Sequence, residues 1–287
     1  MAEYLVLGGS GMLGRAFREL LTAKRREFDA PPRGELDLED EDRIKAALSN
    51  NVRYVINCAA WTDVDAAEVQ EEQATAINGT AVGRLASACT AANVILVHYS
   101  TDYVFPGTAS TPYPVGAFRE PLGAYGRSKL LGEQLLEEYG DRYYLLRTSW
   151  LYAPWGKNFV RTITKAARER AKLKVVSDQV GRPSSAQCVA STTLTLLERG
   201  PVGIYHTTDG GLCSWFQFAK AAVSYLDLPC AVMPCTSGEY PRPAPRPPYS
   251  VLDISETEQR VGTLPDWQDN LRRVLATLEP DRAELEK

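Results

Sequence analysis

The sequence predicts an α/β protein, a doubly wound parallel sheet with a smaller α/β C-terminal region. Three observations carry that expectation. Short continuous apolar runs recur through the first half, at Tyr4 to Leu7, Tyr54 to Ile56 and Val94 to Val97, each the length of a strand buried on both faces. Amphipathic stretches of helical length lie between them. The first run also leads directly into Gly8-Gly9-Ser10-Gly11-Met12-Leu13-Gly14 and then a helix through about Leu21.

At 287 residues the chain can bury a large core, and 44% hydrophobic with 24% charged residues describes an ordinary globular protein. A net charge of −4 gives no footprint for a polyanion, so nucleic acid is not expected as a partner. No apolar run reaches membrane-spanning length, and a strand begins too early to leave room for a signal peptide. The six cysteines, Cys58, Cys89, Cys188, Cys213, Cys230 and Cys235, lack zinc or redox spacing. They read as free thiols in a reducing compartment, which places the protein in the cytoplasm.

Gly8, Gly11 and Gly14 are spaced by three between a strand and a helix. Such glycines allow a tight turn and let backbone approach a pyrophosphate at the helix N-terminus, so a dinucleotide site of the Rossmann type is expected here. A second strand is expected from Glu27 to about Pro31. Pro32 and Arg33 stand where an acid would hold the ribose hydroxyls. A guanidinium at Arg33 suits a 2′-phosphate and favours NADPH over NADH; the alternative is a solvated arginine. Asp37 either reaches the adenine edge or belongs to the start of the helix through Ile44 and Leu48.

The strand at Tyr54 ends in small residues, Cys58, Ala59 and Ala60, which suit close approach of a ligand, with Trp61 and Thr62 beside it. Asp63, Asp65 and Glu68 read as caps and solvated charge rather than metal ligands. Asn78 falls inside a helix, where it either bonds neighbouring backbone or is simply exposed. The fourth strand ends in Ser100-Thr101-Asp102, a hydroxyl beside a carboxylate, which also describes an ordinary turn. His98 reads as a core histidine. After a long loop from Pro106 to Pro121 comes a helix carrying Tyr125 and Lys129 on one face. A free phenol titrates near 10, and a cation one turn away is expected to pull Tyr125 towards neutral pH as an acid–base group.

In the second half, a helix is expected over about 159–171, a strand over 172–176, a helix over 187–198, a strand over 203–206 and a helix over 215–225. The segment from Tyr240 to Tyr249 is broken by prolines, and its Arg242 and Arg246 either bind a pyrophosphate or are surface charge. A last helix begins around Leu264 to Trp267, and the tail after Pro280 is expected to fray.

Taken in order, the glycine triplet, the strand-end Ser-Thr-Asp and Tyr-x-x-x-Lys resemble the extended short-chain dehydrogenase/reductase family. The stretches Asn57 to Asp65, His98 to Gly107, Arg147 to Ala153, Asp178 to Pro183 and Arg242 to Pro247 are similar to its dTDP-4-dehydrorhamnose reductase branch. The resemblance covers essentially the whole chain. It implies NADPH-dependent reduction of dTDP-4-dehydrorhamnose to dTDP-L-rhamnose, with NADH possible in its place. It places Gly11, Met12 and Leu13 along the pyrophosphate, Asp37 and Leu38 at the adenine, and Ala60, Trp61, Thr62, Tyr99 and Lys129 against the cofactor. Thr101, Asp102, Tyr125, Trp150 and Arg246 face the dTDP-sugar, with Tyr125, Lys129 and Thr101 catalytic. It implies a dinucleotide-binding region over 1–150 with later segments interleaved, a mainly substrate-binding region over 151–287, and a monomer or homodimer. Some relatives carry a magnesium-linked glutamate where this chain has Ala16, so Mg2+ is possible but not supported by the sequence, and a metal-bridged dimer is not expected. A dehydratase would want a second acid after Asp102, where Tyr103 stands. The remaining alternatives are another nucleotide-sugar reductase or epimerase, and a non-catalytic regulatory subunit.

Overall fold

The structure, a computed structural model, describes residues 2–48 and 52–278. Its centre is a six-stranded sheet in the order β10-β5-β4-β3-β1-β2, every neighbouring pair parallel. In chain order the elements of its first half are β1 (Tyr4–Leu7), α1 (Met12–Ala23), β2 (Phe28–Asp29), α2 (Glu41–Leu48), β3 (Tyr54–Asn57), α3 (Val64–Ala67), α4 (Glu71–Thr75), α5 (Ala81–Ala91), β4 (Ile95–Thr101), α6 (Ala124–Tyr139) and β5 (Tyr143–Thr148). The second half holds β6 (Leu151–Tyr152), α7 (Phe159–Glu169), β7 (Lys172–Val176), β8 (Val180–Gly181), β9 (Ser184–Ser185), α8 (Ala186–Arg199) and β10 (Gly203–His206). It continues with β11 (Cys213–Ser214), α9 (Trp215–Tyr225), β12 (Ala231–Cys235), α10 (Ser255–Val261) and α11 (Trp267–Ala276).

The two faces of the sheet follow from strand periodicity. Tyr4 and Val6 of β1 join Phe17 and Leu21 of α1 and Val189 and Leu194 of α8 in one core. Leu5 and Leu7 join Ile44 of α2, Leu85 of α5 and Leu136 of α6 in the other. Strand β10 comes from the second half of the chain and pairs with β5. The remaining strands of that half form three two-stranded sheets, packed with α7, α9 and α11 around Tyr152, Phe218, Trp267 and Leu271. Strand β2 is two residues long, shorter than the Glu27–Pro31 expected, because its paired register with β1 extends only over Phe28 and Asp29. The last helix starts at Trp267, where the Asp266 carboxylate accepts from the Gln268 N–H as a cap. The expected fraying after Pro280 lies outside the described residues.

Helix α6 is seated unusually close to its neighbour. Residues Ala76–Thr80, between α4 and α5, form a π-helical turn, and Gly132 of α6 faces its backbone. A Cβ at Gly132 would lie 2.1 Å from the Asn78 carbonyl oxygen, and one at Gly79 would lie 2.7 Å from the Leu131 side chain. The π turn widens the helix by one residue and pushes Asn78 inward, where it is buried to 1% exposure. Gly132→Ala is expected to force α6 away from this turn. Overpacking of this kind costs about 1–3 kcal/mol, read as a lowered urea midpoint with an unchanged slope.

Candidate functional site

The glycine turn is built as its spacing demands. Gly8 has φ +70°, and a Cβ there would lie 2.6 Å from the Ala59 nitrogen; one at Gly14 would lie 2.2 Å from the Gly8 carbonyl oxygen. Those two glycines close the turn internally, with the Gly11 N–H donating to the Gly8 carbonyl at 2.9 Å. Gly11 differs. A Cβ there meets only that carbonyl, at 3.2 Å, and the residue is exposed. It is the N-cap of the twelve-residue α1, with no side-chain cap and no acid in the first turn. The first N–H groups of α1 therefore stand beside an open glycine surface, which fits a pyrophosphate. Met12 presents its carbonyl to Trp155 Nε1 at 3.1 Å, and Leu13 is buried beneath the turn.

At the adenine end, Arg33 is exposed and paired with Asp37 at 3.0 Å and with Glu39 at 3.7 Å. Asp37 is not the cap of α2: it accepts from the Glu39 N–H, and Asp40 accepts from the Arg43 N–H instead. The Asp37 carboxyl sits below its ordinary range because the hydrogen bond from Arg33 and that from Glu39 outweigh the cost of partial burial. Leu38 is buried in the core below.

Beyond β3, Asn78 holds the next strand-end loop. Its carboxamide accepts from the Trp61 N–H at 2.9 Å, donates to the Trp61 carbonyl at 3.0 Å and donates to Ser128 Oγ at 3.0 Å. Of the two roles open to it, structure gives the backbone-bonding one. The Trp61 indole N–H reaches the Asp63 carbonyl, which leaves Ala60 and Thr62 on the surface of the strand ends.

Thr101, Asp102, Tyr125 and Lys129 converge where β4 ends and α6 begins. Thr101 Oγ donates to Asp102 Oδ1 at 3.0 Å and accepts from the Tyr103 N–H at 3.2 Å. Asp102 is 2% exposed. Burial raises its carboxyl to about 7, with contacts to the Ser250 and Thr101 hydroxyls pulling part of the way back. Tyr125 meets Tyr103 edge-on, with ring centroids 6.0 Å apart. Its phenol is raised to about 12, first by burial and then by the Asp102 charge, while contact with the Thr101 hydroxyl works the other way. This reverses the expectation that a neighbouring cation lowers it. Lys129 is tied to β4: Nζ donates to the Tyr99 carbonyl at 2.6 Å and lies 3.4 Å from His98 Nε2. Desolvation lowers its ammonium to about 8.

Several residues act differently from the sequence reading. Tyr99, expected against the cofactor, shares a hydrogen bond between its hydroxyl and Thr193 of α8 at 2.6 Å and presents its carbonyl to Lys129. Trp150 takes a positive φ of 47° and stacks on Trp215, centroids 3.6 Å apart. Asp65, read as cap or solvated charge, holds both Arg242 and Arg246, so both guanidiniums are already paired with a carboxylate. Glu68 accepts from the Ala124 N–H at 2.8 Å and so caps α6, while Asp63 caps α3. Glu133, on the same face of α6 as Tyr125 and Lys129, was missed. Its spacing of four from Lys129 was the available signal. It is fully buried with Arg147 at 2.8 Å and Arg119 at 2.9 Å.

The proline-rich loop closes one side of Tyr125. The gap among Val64, Glu68, Tyr103, Tyr125, Pro245 and Pro247 is about 10 Å³, too small for a sugar. A cleft of about 470 Å³ lies among α8, α10 and α11 and includes none of these site residues. Among the described residues, no three His, Cys, Asp or Glu side chains group as metal ligands, and no helix is long and apolar enough to cross a membrane.

Residues 2–279 match the family model described as the RmlD substrate binding domain. The chain belongs to the RmlD family. Within the RmlD family it is 38% identical over 285 residues to a dTDP-4-dehydrorhamnose reductase of Mycolicibacterium smegmatis, spanning 97% of this chain and 86% of that one. Its fold superposes on a dTDP-4-dehydrorhamnose reductase of Clostridium acetobutylicum with a TM-score of 0.92 at 35% identity, covering 96% and 99% of the two chains. A second such reductase, from Bacillus anthracis and solved in complex with NADP, gives the same score at 32% identity, with coverage of 96% and 99%.

The Asp65 carboxyl is lowered to about 2, the hydrogen bonds from Arg246, the Ala244 N–H and Arg242 overcoming its desolvation. A depressed carboxyl stabilises the fold above its unfolded value, and that contribution disappears as pH falls through the folded one. Unfolding free energy should therefore drop between roughly pH 4 and pH 2. In Asp65→Asn this part of the drop should be missing, as read by urea titrations across that range.

Proposed function

We propose that this chain is an NADPH-dependent reductase of dTDP-4-dehydrorhamnose, forming dTDP-L-rhamnose, with NADH as a possible substitute. The observation that carries the reading is the meeting of Tyr125, Thr101 and Asp102 near the buried Lys129, at the carboxyl ends of the sheet strands, where the open Gly11 turn also lies. When bound, the cofactor supplies hydride to the sugar's carbonyl carbon. Tyr125, whose phenol burial keeps protonated, gives its proton to the oxygen that becomes an alkoxide. Thr101 orients that oxygen, and the charge of Lys129 would stabilise the tyrosinate left behind. In this reading Trp150 and Arg246, both from the second half of the chain, would face the sugar and its nucleotide. Arg246 would have to exchange Asp65 for a phosphate to bind there.

Oxidation of NADPH and of NADH with dTDP-6-deoxy-4-keto-L-mannose tests the reading, with the product identified by mass and stereochemistry. No oxidation of either cofactor would refute it. Tyr125→Phe should keep cofactor affinity and lower kcat by about 10²–10⁴-fold, the usual contribution of a positioned acid. Arg33→Ala should raise KM for NADPH and leave that for NADH nearly unchanged, since only the former carries the 2′-phosphate that a guanidinium holds.

A further inference from the structure

The protein has two histidines, both buried, at 1% exposure for His98 and 0% for His206. Each faces a cation on the sheet-end side of α6. His206 Nδ1 lies 2.9 Å from the Asp253 carbonyl oxygen, and its Nε2 lies 3.4 Å from Arg147 Nη1. A carbonyl can only accept, so the neutral ring carries its proton on Nδ1 and offers Arg147 a lone pair. That arrangement welcomes a permanent cation.

His98 is the reverse. Its Nδ1 lies 3.2 Å from Asn57 Nδ2. The orientation of that carboxamide is fixed from its other side, where Asn57 Oδ1 accepts from the Ala59 N–H at 3.1 Å. Asn57 therefore donates to Nδ1, and the neutral ring must hold its proton on Nε2, the nitrogen 3.4 Å from Lys129 Nζ. An ammonium has three donors and no acceptor. One of them goes to the Tyr99 carbonyl, and another would meet an N–H head-on. A neutral amine has a lone pair for that N–H and keeps a donor for the carbonyl.

We propose that Asn57 fixes the His98 tautomer, and that His98 thereby presents a donor to Lys129 and favours the amine over the ammonium. His98 is then a positioning residue for the acid–base pair, and this rests on the reading of Tyr125 and Lys129 given above. The other groups around Lys129 leave the decision to His98. Glu133, one turn along α6, favours the ammonium, but its carboxylate is committed to Arg147 of β5 and Arg119 of the preceding loop. Asp102, after β4, bonds Thr101, and Asn78, from the π turn, is neutral and bonded to Trp61 and Ser128. Burial acts in the same direction on both partners, lowering Lys129 to about 8 and His98 well below its usual value. The consequence for the reaction is a Lys129 that is still mostly ammonium at neutral pH but holds its proton less firmly than a solvated lysine would.

The test uses the free full-length protein by NMR. Imidazole ¹⁵N shifts should show two neutral rings of opposite tautomer, His206 with Nδ1–H and His98 with Nε2–H, assigned by their loss in His206→Gln and His98→Gln. Lysine labelled at ¹³Cε gives the Lys129 titration, its signal identified by loss in Lys129→Met. His98→Gln, which can turn a carbonyl oxygen to Nζ, should raise the Lys129 midpoint by about one pH unit, tenfold in proton affinity. Asn57→Leu removes the donor that holds Nδ1 without adding a charge, so it should let the His98 proton move to Nδ1 and raise the same midpoint, which covers the case of a poorly folded His98 variant. An Nδ1–H tautomer for His98 in the wild type overturns the proposal, as does a Lys129 midpoint that stays put in both variants. These signals need no substrate, so they stand or fall separately from the sugar assay.

Discussion

A lysine nitrogen taken out of water against a strand carbonyl is the constraint around which this fold is arranged. Lys129 is 2% exposed and its Nζ sits 2.6 Å from the Tyr99 carbonyl of β4. That contact requires α6 to lie close across the end of the sheet. The chain permits it with glycine at 132 facing the Asn78 carbonyl and glycine at 79 under Leu131. The π turn delivers the Asn78 side chain to the backbone of Trp61. One element thus fixes three features: the helix bearing Tyr125, the end of β4 with Thr101, and the loop after β3. A helix seated further out would separate them.

The same seating explains the second buried charge on α6. Glu133 has no water to turn to, and a lone carboxylate there would cost several kcal/mol. The bidentate Arg147 pair and the Arg119 bond hold its charge in place and keep its carboxyl below the ordinary range despite desolvation. Arg147 also donates to the Val115 carbonyl at 2.7 Å. The long loop before α6 is thereby tied to β5 and to the helix it precedes. Structural charge and site charge share one helix face without sharing partners.

The sheet and its glycine turn were legible because they rest on local chemistry. Apolar runs of strand length, and glycine where φ is positive or a carbonyl lies within 3 Å, leave marks in the sequence. The helices over 159–169, 186–199 and 215–225 and the strand at 172–176 were legible for the same reason, since their patterns persist over several turns or pleats. What escaped was tertiary. Asp65 looks like any helix-start acid until the proline-rich loop, some 180 residues later, brings two arginines to it. His98 reads as a core histidine, and it is one, but its partners come from β3 and α6. Asn78 reads as a poor helix residue, and the π turn that makes it useful has no sequence signature of its own. The protonation of Tyr125 was misjudged because spacing gave the lysine's distance along the helix but not the direction of its nitrogen.

That last error is instructive about the chemistry. A ketone reductase needs its acid loaded before the carbonyl oxygen gains charge, so a phenol held up to about 12 is better prepared at rest than one already ionised. Burial favours the neutral form of every titratable group here: Tyr125 with its proton, Asp102 raised to about 7, and Lys129 lowered to about 8. Such a site gives strong, poorly screened interactions once an oxyanion forms. The groups that would then be needed are already fixed by hydrogen bonds, Thr101 to Asp102 and Tyr103 just beyond β4 and Lys129 of α6 to the Tyr99 carbonyl of β4. The work of stabilising the reacting oxygen is therefore done in folding, by the seating of α6, before any substrate arrives.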